Sequence, residues 1–106
     1  MDAVISALVE PNRREILRLV RAGELPAGRI ASHFDVSRPA ISQHLRALKQ
    51  AQLVLDRPAG TRRLYELNPA GIDALRAYFD RFWSHALAAF KRAAEERAHK
   101  THKEER

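Results

Sequence analysis

Residues 37–49 read SRPAISQHLRALK, and their spacing assigns two jobs to one helix. At about 100° per residue, Ile41, Leu45 and Leu48 fall on one side as a buried face. Pro39, Gln43, Arg46 and Gln50 lie opposite. Arg38, Ser42 and Lys49 flank that outer face on one side, and Ala40, His44 and Ala47 on the other. No acidic residue occurs between Val36 and Leu55. An ordinary solvated face mixes both charge signs, often as (i, i+4) pairs. This one offers an amide, hydroxyls, small residues and arginines. Gln and Arg can bond bidentately to adenine and guanine edges, Ser can serve either, and Ala or Pro can meet a thymine methyl. The chemistry on offer is reading of base edges, with Arg46 and Lys49 suited to phosphates.

The elements around this helix support that reading. Pro26 reopens helix after a break at Gly23, and Ile30 and Ala31 face inward until Phe34 closes the segment. A tight turn follows at 34–36, with Asp35 expected in the left-handed conformation that Asp tolerates. Ser37 is placed to cap the next helix, although Pro39 disfavours helical geometry at Arg38 and blurs the start. Two helices around a three-residue turn make a helix-turn-helix. Two short alternating runs, 53–57 and 61–67, flank Pro58-Ala59-Gly60 and predict a β-hairpin. Arg57, Arg62 and Arg63 bracket its tip, as a wing reaching a phosphate backbone or minor groove would require. Those arginines would also serve simply to guard a soluble strand edge.

Upstream, Val4, Ile5, Leu8 and Val9 have helical spacing. Pro11 then opens a second helix with Ile16, Leu17, Leu19 and Val20 inward. Downstream, Asn68 as cap and Pro69 in the first turn start a long last helix, to about Arg97. The expected fold is mainly α with a small β-hairpin wing: a winged helix-turn-helix of about five helices, in the order α-α-α-α-β-β-α. One domain, 1–97, is expected to carry DNA binding, and a polar, disordered tail spans 98–106.

Bulk properties agree. The chain has 106 residues, 45% hydrophobic and 30% charged, with a formal net charge of +6. Seven Lys/Arg against two acids between Arg29 and Arg63 put most of that charge on this one segment. A basic balance favours an anionic partner. There is no cysteine, which excludes disulfides and cysteine-based metal sites. No signal-peptide pattern opens the chain, and no run approaches the roughly 20 apolar residues of a membrane span. A cytoplasmic protein is expected, with no membrane partner. No nucleophile–base pairing, Gly-rich phosphate loop or paired acids point to an enzyme.

The blocks EPNRREILRLV (10–20), RIASHFDVSRPAISQHLRALKQAQLV (29–54) and AGTRRLYELNPAGI (59–72) resemble the ArsR/SmtB family of winged-helix repressors. Ser37, Ser42, His44 and Leu45 match the pattern of that family's recognition helix, and Arg62, Arg63 and Tyr65 that of its wing. The resemblance spans about residues 3–90. It implies a homodimeric repressor on an imperfect inverted repeat, often at its own promoter. Its recognition helix would be Ser37–Gln50, with half-sites about one helical turn, ~34 Å, apart. By the family pattern Arg38, Pro39, Ala40, Ser42, Gln43 and His44 face the major groove. The helical wheel supports Pro39 and Gln43 best.

The resemblance also implies a dimer interface from the first and last helices: Val4, Ile5, Leu8, Leu75, Phe79, Phe82, Trp83, Ala86 and Phe90. The stripe of Tyr78, Phe79, Phe82, Trp83 and Phe90 could instead line a small-molecule pocket, but such a stripe is more often packing. The chain departs from the metal-sensing members. AGRIASHF lacks their Cys-x-Cys pair, His85 has no second histidine at ligand spacing, and His99 and His102 sit in the polar tail. His33 reads as structural. No cofactor or metal is expected, and any small-molecule effector is unknown. The alternatives are a metal- or ligand-responsive sensor of the same fold and a winged-helix protein-interaction module. The latter would need an apolar anchor that RxxxSQxxR does not offer.

Overall fold

The helix over the opening stretch forms as α4, Arg38–Gln50, because each end is chemically closed. Ser37 stays extended and its Oγ accepts from the Ala40 N–H at 3.3 Å. Arg38 is already helical, so Pro39 sits within the first turn, where its missing N–H is harmless. At the far end Gln52 adopts φ 65°. The Leu53 N–H reaches the Leu48 carbonyl and the Gln52 N–H the Lys49 carbonyl, both at 3.0 Å. This paired closure is a Schellman motif, here built with glutamine where glycine is usual.

The computed structural model describes residues 1–104. Contacts divide the chain into two units, Met1–Leu75 and the stretch from Arg76 onward. In the first unit, α1 (Asp2–Val9) and α2 (Pro11–Val20) lead into a two-residue strand β1 (Leu25–Pro26). There follow α3 (Ala27–Ala31), α4, β2 (Val54–Ala59), β3 (Arg62–Leu67) and the start of α5 (Pro69–Glu104). The strands form one antiparallel sheet in the order β1-β3-β2. Ile16 and Val20 of α2, Ile30 of α3, and Ile41, Leu45 and Leu48 of α4 form the core with Leu53 and Val54. The predicted inward face of α4 is therefore the buried one. Removing a side chain such as Leu48 from it would cost about 2–5 kcal/mol.

Several expectations change in detail. The sheet has a third strand, because Leu25 and Pro26 pair with Tyr65 and Leu64 instead of starting the helix. Two residues carry no periodicity, and Pro26 sits on a sheet edge, where a missing N–H is tolerated. The helix-turn-helix connection covers 32–37, and Phe34 lies in it, not in α3. Asp35 is not left-handed; among the described non-glycine residues only Gln52 is. The His33 and Phe34 N–H groups bond to the Ile30 and Ala31 carbonyls at 3.1 Å, so right-handed turns exit the helix without a reversal. The hairpin loop is Gly60-Thr61 alone, with Ala59 paired to Arg62 and Pro58 inside the edge strand β2. Gly60 has φ 64°, which a tight two-residue loop needs.

Asn68 does cap α5: its Oδ1 accepts from the Ala70 N–H at 3.2 Å. Its Nδ2 donates to the Gln52 carbonyl at 2.9 Å, tying the start of α5 to the end of α4. The second unit is the remainder of α5. It continues through Glu104, past the end expected near Arg97, so residues 98–104 of the anticipated tail are helical. EERAHKTHKE is rich in good helix formers and holds Glu96 four residues before Lys100. Residues 105–106 lie outside the described residues.

Candidate nucleic-acid interface

The outward face of α4 is open. Arg38, Pro39, Ser42, Gln43, Arg46, Lys49 and Gln50 are exposed, while Ala40 and Ala47 are half-buried. His44 is drawn inward. It is half-buried, and its Nδ1 accepts from the Arg13 Nε at 3.1 Å. That bond requires an imidazole unprotonated at Nδ1 and ties α4 to α2. The family pattern expects His44 at the major groove; here its ring is bonded to Arg13. Arg13 carried no sequence signal, since its partner lies 31 residues away.

The wing arginines divide by partner. Arg57 grips Glu24 with two hydrogen bonds, at 2.7 and 2.9 Å. Arg63 bonds to one oxygen of Asp56 at 2.8 Å, and Lys49 of α4 pairs with the other at 2.9 Å. The Asp56 side chain is only 7% exposed. The hydrogen bonds from Arg63 and then Lys49 hold its carboxyl below the usual range. The bond from Arg57 likewise lowers Glu24. Among the described residues, Arg38, Arg46 and Arg62 have no carboxylate partner and are the uncommitted cations of this surface. The sequence by itself does not separate the three wing arginines. The acids that separate them, Glu24 and Asp56, sit 33 and 7 residues from the arginines they hold.

The residues expected at a dimer interface fall in both units. In the first, Val4, Leu8 and Leu75 lean on the chain's own core, and Ile5 is half-buried. In the second, α5 carries an unpaired aromatic face: Phe79, Phe82, Trp83, Leu87 and Phe90 are 39–72% exposed. Phe82 and Trp83 meet edge to face at 5.8 Å. Among the described residues no group of three His, Cys, Asp or Glu is placed to hold a metal ion. No described helix is long and apolar enough to cross a membrane.

A capped helix exposing an acid-free face, set on a helix-turn-helix and followed by a basic hairpin, defines a winged helix-turn-helix DNA-binding domain. Residues 10–55 match the family described as bacterial regulatory protein, arsR family. The chain is 51% identical over 89 residues to the HTH-type transcriptional regulator Rv2034 of Mycobacterium tuberculosis, covering 84% of this chain and 83% of that protein. It is 46% identical over 68 residues to the transcriptional repressor SdpR of Bacillus subtilis, covering 64% of this chain and 76% of that one. Among solved structures, it resembles a homodimeric winged helix-turn-helix DNA-binding domain from Mycobacterium bovis. That match has a TM-score of 0.64 and 30% identity, over 78% of this chain and 77% of that one. The chain belongs to the ArsR family of transcriptional regulators.

Proposed function

We propose that this regulator acts as a homodimeric repressor that sets α4 of each protomer into successive major grooves of an inverted-repeat operator, in some settings at its own promoter. The observation that carries the reading is the exposed, acid-free face of α4, with Gln43 pointing out and Arg38 and Arg46 uncommitted beside it. Gln43, Ser42, Pro39 and Ala40 face bases, whereas Arg38, Arg46 and Arg62 neutralise phosphates. Lys49, Arg57 and Arg63 act as weaker phosphate contacts, because each already holds a carboxylate. His44 acts by fixing α4 on α2.

The second copy is seated on the aromatic face of α5, which otherwise leaves large apolar side chains in water. The names of the relatives, a repressor and a homodimeric domain among them, support this reading. Nothing in the reading calls for a catalytic step, a cofactor or a metal, and a bacterial regulator of this family meets its DNA in the cytoplasm.

The test is retardation of the DNA upstream of the protein's own gene, with a scrambled duplex for comparison. Gln43→Ala should lose discrimination at one base pair per half-site, about 1–3 kcal/mol, while still binding non-specifically. Unchanged sequence preference would remove Gln43 from the reading set. Equal retardation of both duplexes by the unaltered protein would remove the operator reading.

A further inference from the structure

Asn68 stands where three elements meet, after β3, before α5 and against the end of α4. It is buried, and each of its polar atoms has a partner. Its backbone N–H donates to the Leu53 carbonyl, and its carbonyl accepts from the Ile72 N–H, both at 3.0 Å. Its side chain faces two helices: Oδ1 accepts from the Ala70 N–H in the first turn of α5, and Nδ2 donates to the Gln52 carbonyl just past α4. The Gln52 carbonyl also faces Gly71, where a Cβ would lie 1.7 Å from its oxygen. Glycine alone lets the first turn of α5 approach so closely. One carbonyl at the end of the reading helix is therefore gripped by both the cap and the glycine of α5.

Ile72 and Leu75 also pack on the core, but apolar contact has no preferred direction. Hydrogen bonds weaken steeply once bent, and the Gly71 approach leaves no slack. The direction in which α5 leaves the first unit is thus set at this junction. α5 is one helix from Pro69 to Glu104. Phe82 lies about 20 Å along it from Pro69. A tilt of about 10° at the start would carry Phe82 about 3.4 Å, the rise of one base pair. α4, by contrast, is fixed in the core by Ile41, Leu45 and Leu48. A dimer seated on α5 keeps its two reading helices at a set separation only as firmly as each α4 is joined to its own α5.

We propose that Asn68 is a positioning residue for operator spacing: through the Gln52 carbonyl it fixes the angle between α4 and the start of α5, and so the distance between half-sites that the dimer accepts. It acts through the two helices and offers DNA no free polar atom. The proposal rests on the homodimer reading above.

Asn68→Ser keeps a capping oxygen for α5 and removes the amide that reaches Gln52. Retardation is read on the duplex upstream of the protein's own gene, and on the same duplex with one base pair inserted or removed between the half-sites. The unaltered dimer should bind either altered duplex about tenfold or more weakly, because its two α4 helices no longer engage together. Asn68→Ser should stay dimeric in sedimentation and keep its preference for the base pairs within a half-site, while the spacing penalty shrinks to about threefold or less. A merely destabilising role would weaken all three duplexes alike. That result, or an undiminished spacing penalty, overturns the proposal.

A DNA-free measurement stands beside it. The chain has no cysteine, so a nitroxide on Gln43→Cys reports the distance between the reading helices of the two protomers. Asn68→Ser should broaden that distance distribution, and equal widths overturn the proposal. Asn68→Asp also caps α5 without the amide donor, and replaces the serine variant if that one does not fold. Failure of both to fold makes Asn68 a folding residue and overturns the proposal. A dimeric unaltered protein that retards no upstream DNA removes the operator reading, and the distance widths then decide. A monomeric unaltered protein removes the homodimer reading and the proposal with it.

Discussion

Lys49, in the last turn of the reading helix, and Asp56, on the first strand of the wing, are joined by an ion pair of 2.9 Å. Arg63 of the second wing strand takes the other carboxylate oxygen at 2.8 Å. One nearly buried carboxylate therefore joins the two elements that must meet DNA together. It also withholds two cations from phosphate, so it favours a set geometry over raw affinity.

Asp56→Asn should lower stability by on the order of 1 kcal/mol in urea unfolding at pH 7. The sign of its pH dependence follows from the depressed carboxyl. A group whose folded pKa lies below its unfolded one stabilises the fold above the unfolded value, near 3.9 for Asp. That stability is lost as pH falls through the folded value. The gap between the two proteins should thus be full at pH 7 and close in acid below about pH 4. A gap that stays constant down to pH 3 would show that the Asp56 contacts do not stabilise the fold as an ion pair.

The wing arginines should not be equivalent. Arg62→Ala should weaken specific and non-specific DNA alike, by roughly 1 kcal/mol or less, and flatten the salt slope by about 1. Arg57→Ala should do less, since Glu24 already holds Arg57. Glu24→Gln should act in the opposite direction, freeing Arg57 and steepening the slope by up to about 0.9. Salt-dependent fluorescence anisotropy reads all three. Equal losses for Arg57 and Arg62 would show that the ion pair opens on DNA.

Gly71 is held by its neighbour across the fold. A Cβ there would lie 1.7 Å from the Gln52 carbonyl oxygen. Since that atom is backbone, no rotamer change relieves the clash, and Gly71→Ala should lose about 3 kcal/mol or more, or fail to fold. Gln52→Gly gives the complementary result. It removes the left-handed strain at φ 65° and should gain up to about 1 kcal/mol at the melting midpoint. A loss in Gln52→Gly would mean that its side chain contributes more than the strain it carries.

On the exposed apolar face of α5, Trp83→Glu places a charge among exposed aromatics. If this face seats the second copy, sedimentation should shift from dimer to monomer with unchanged helicity, and operator affinity should fall by at least about tenfold. A variant that stays dimeric would move the seam elsewhere.

Local rules determined much of this protein. The period of Ile41, Leu45 and Leu48, the Ser37 and Asn68 caps and the two wing runs are properties of neighbouring residues. They are legible because turns, caps and helical faces depend on spacings of a few positions. The outward face of α4 was legible for the same reason. Folding alone decided which basic residues remain available. Glu24 finds Arg57, and Arg13 finds His44, across separations no periodicity encodes. It also decided the pairing of β1 with β3, the left-handed turn at Gln52 instead of Asp35, and the closing of the Asn68 amide onto the Gln52 carbonyl. A sequence specifies which charges a chain carries. Their commitment depends on distances of about 3 Å between residues far apart in the chain, and those are set only when the core closes.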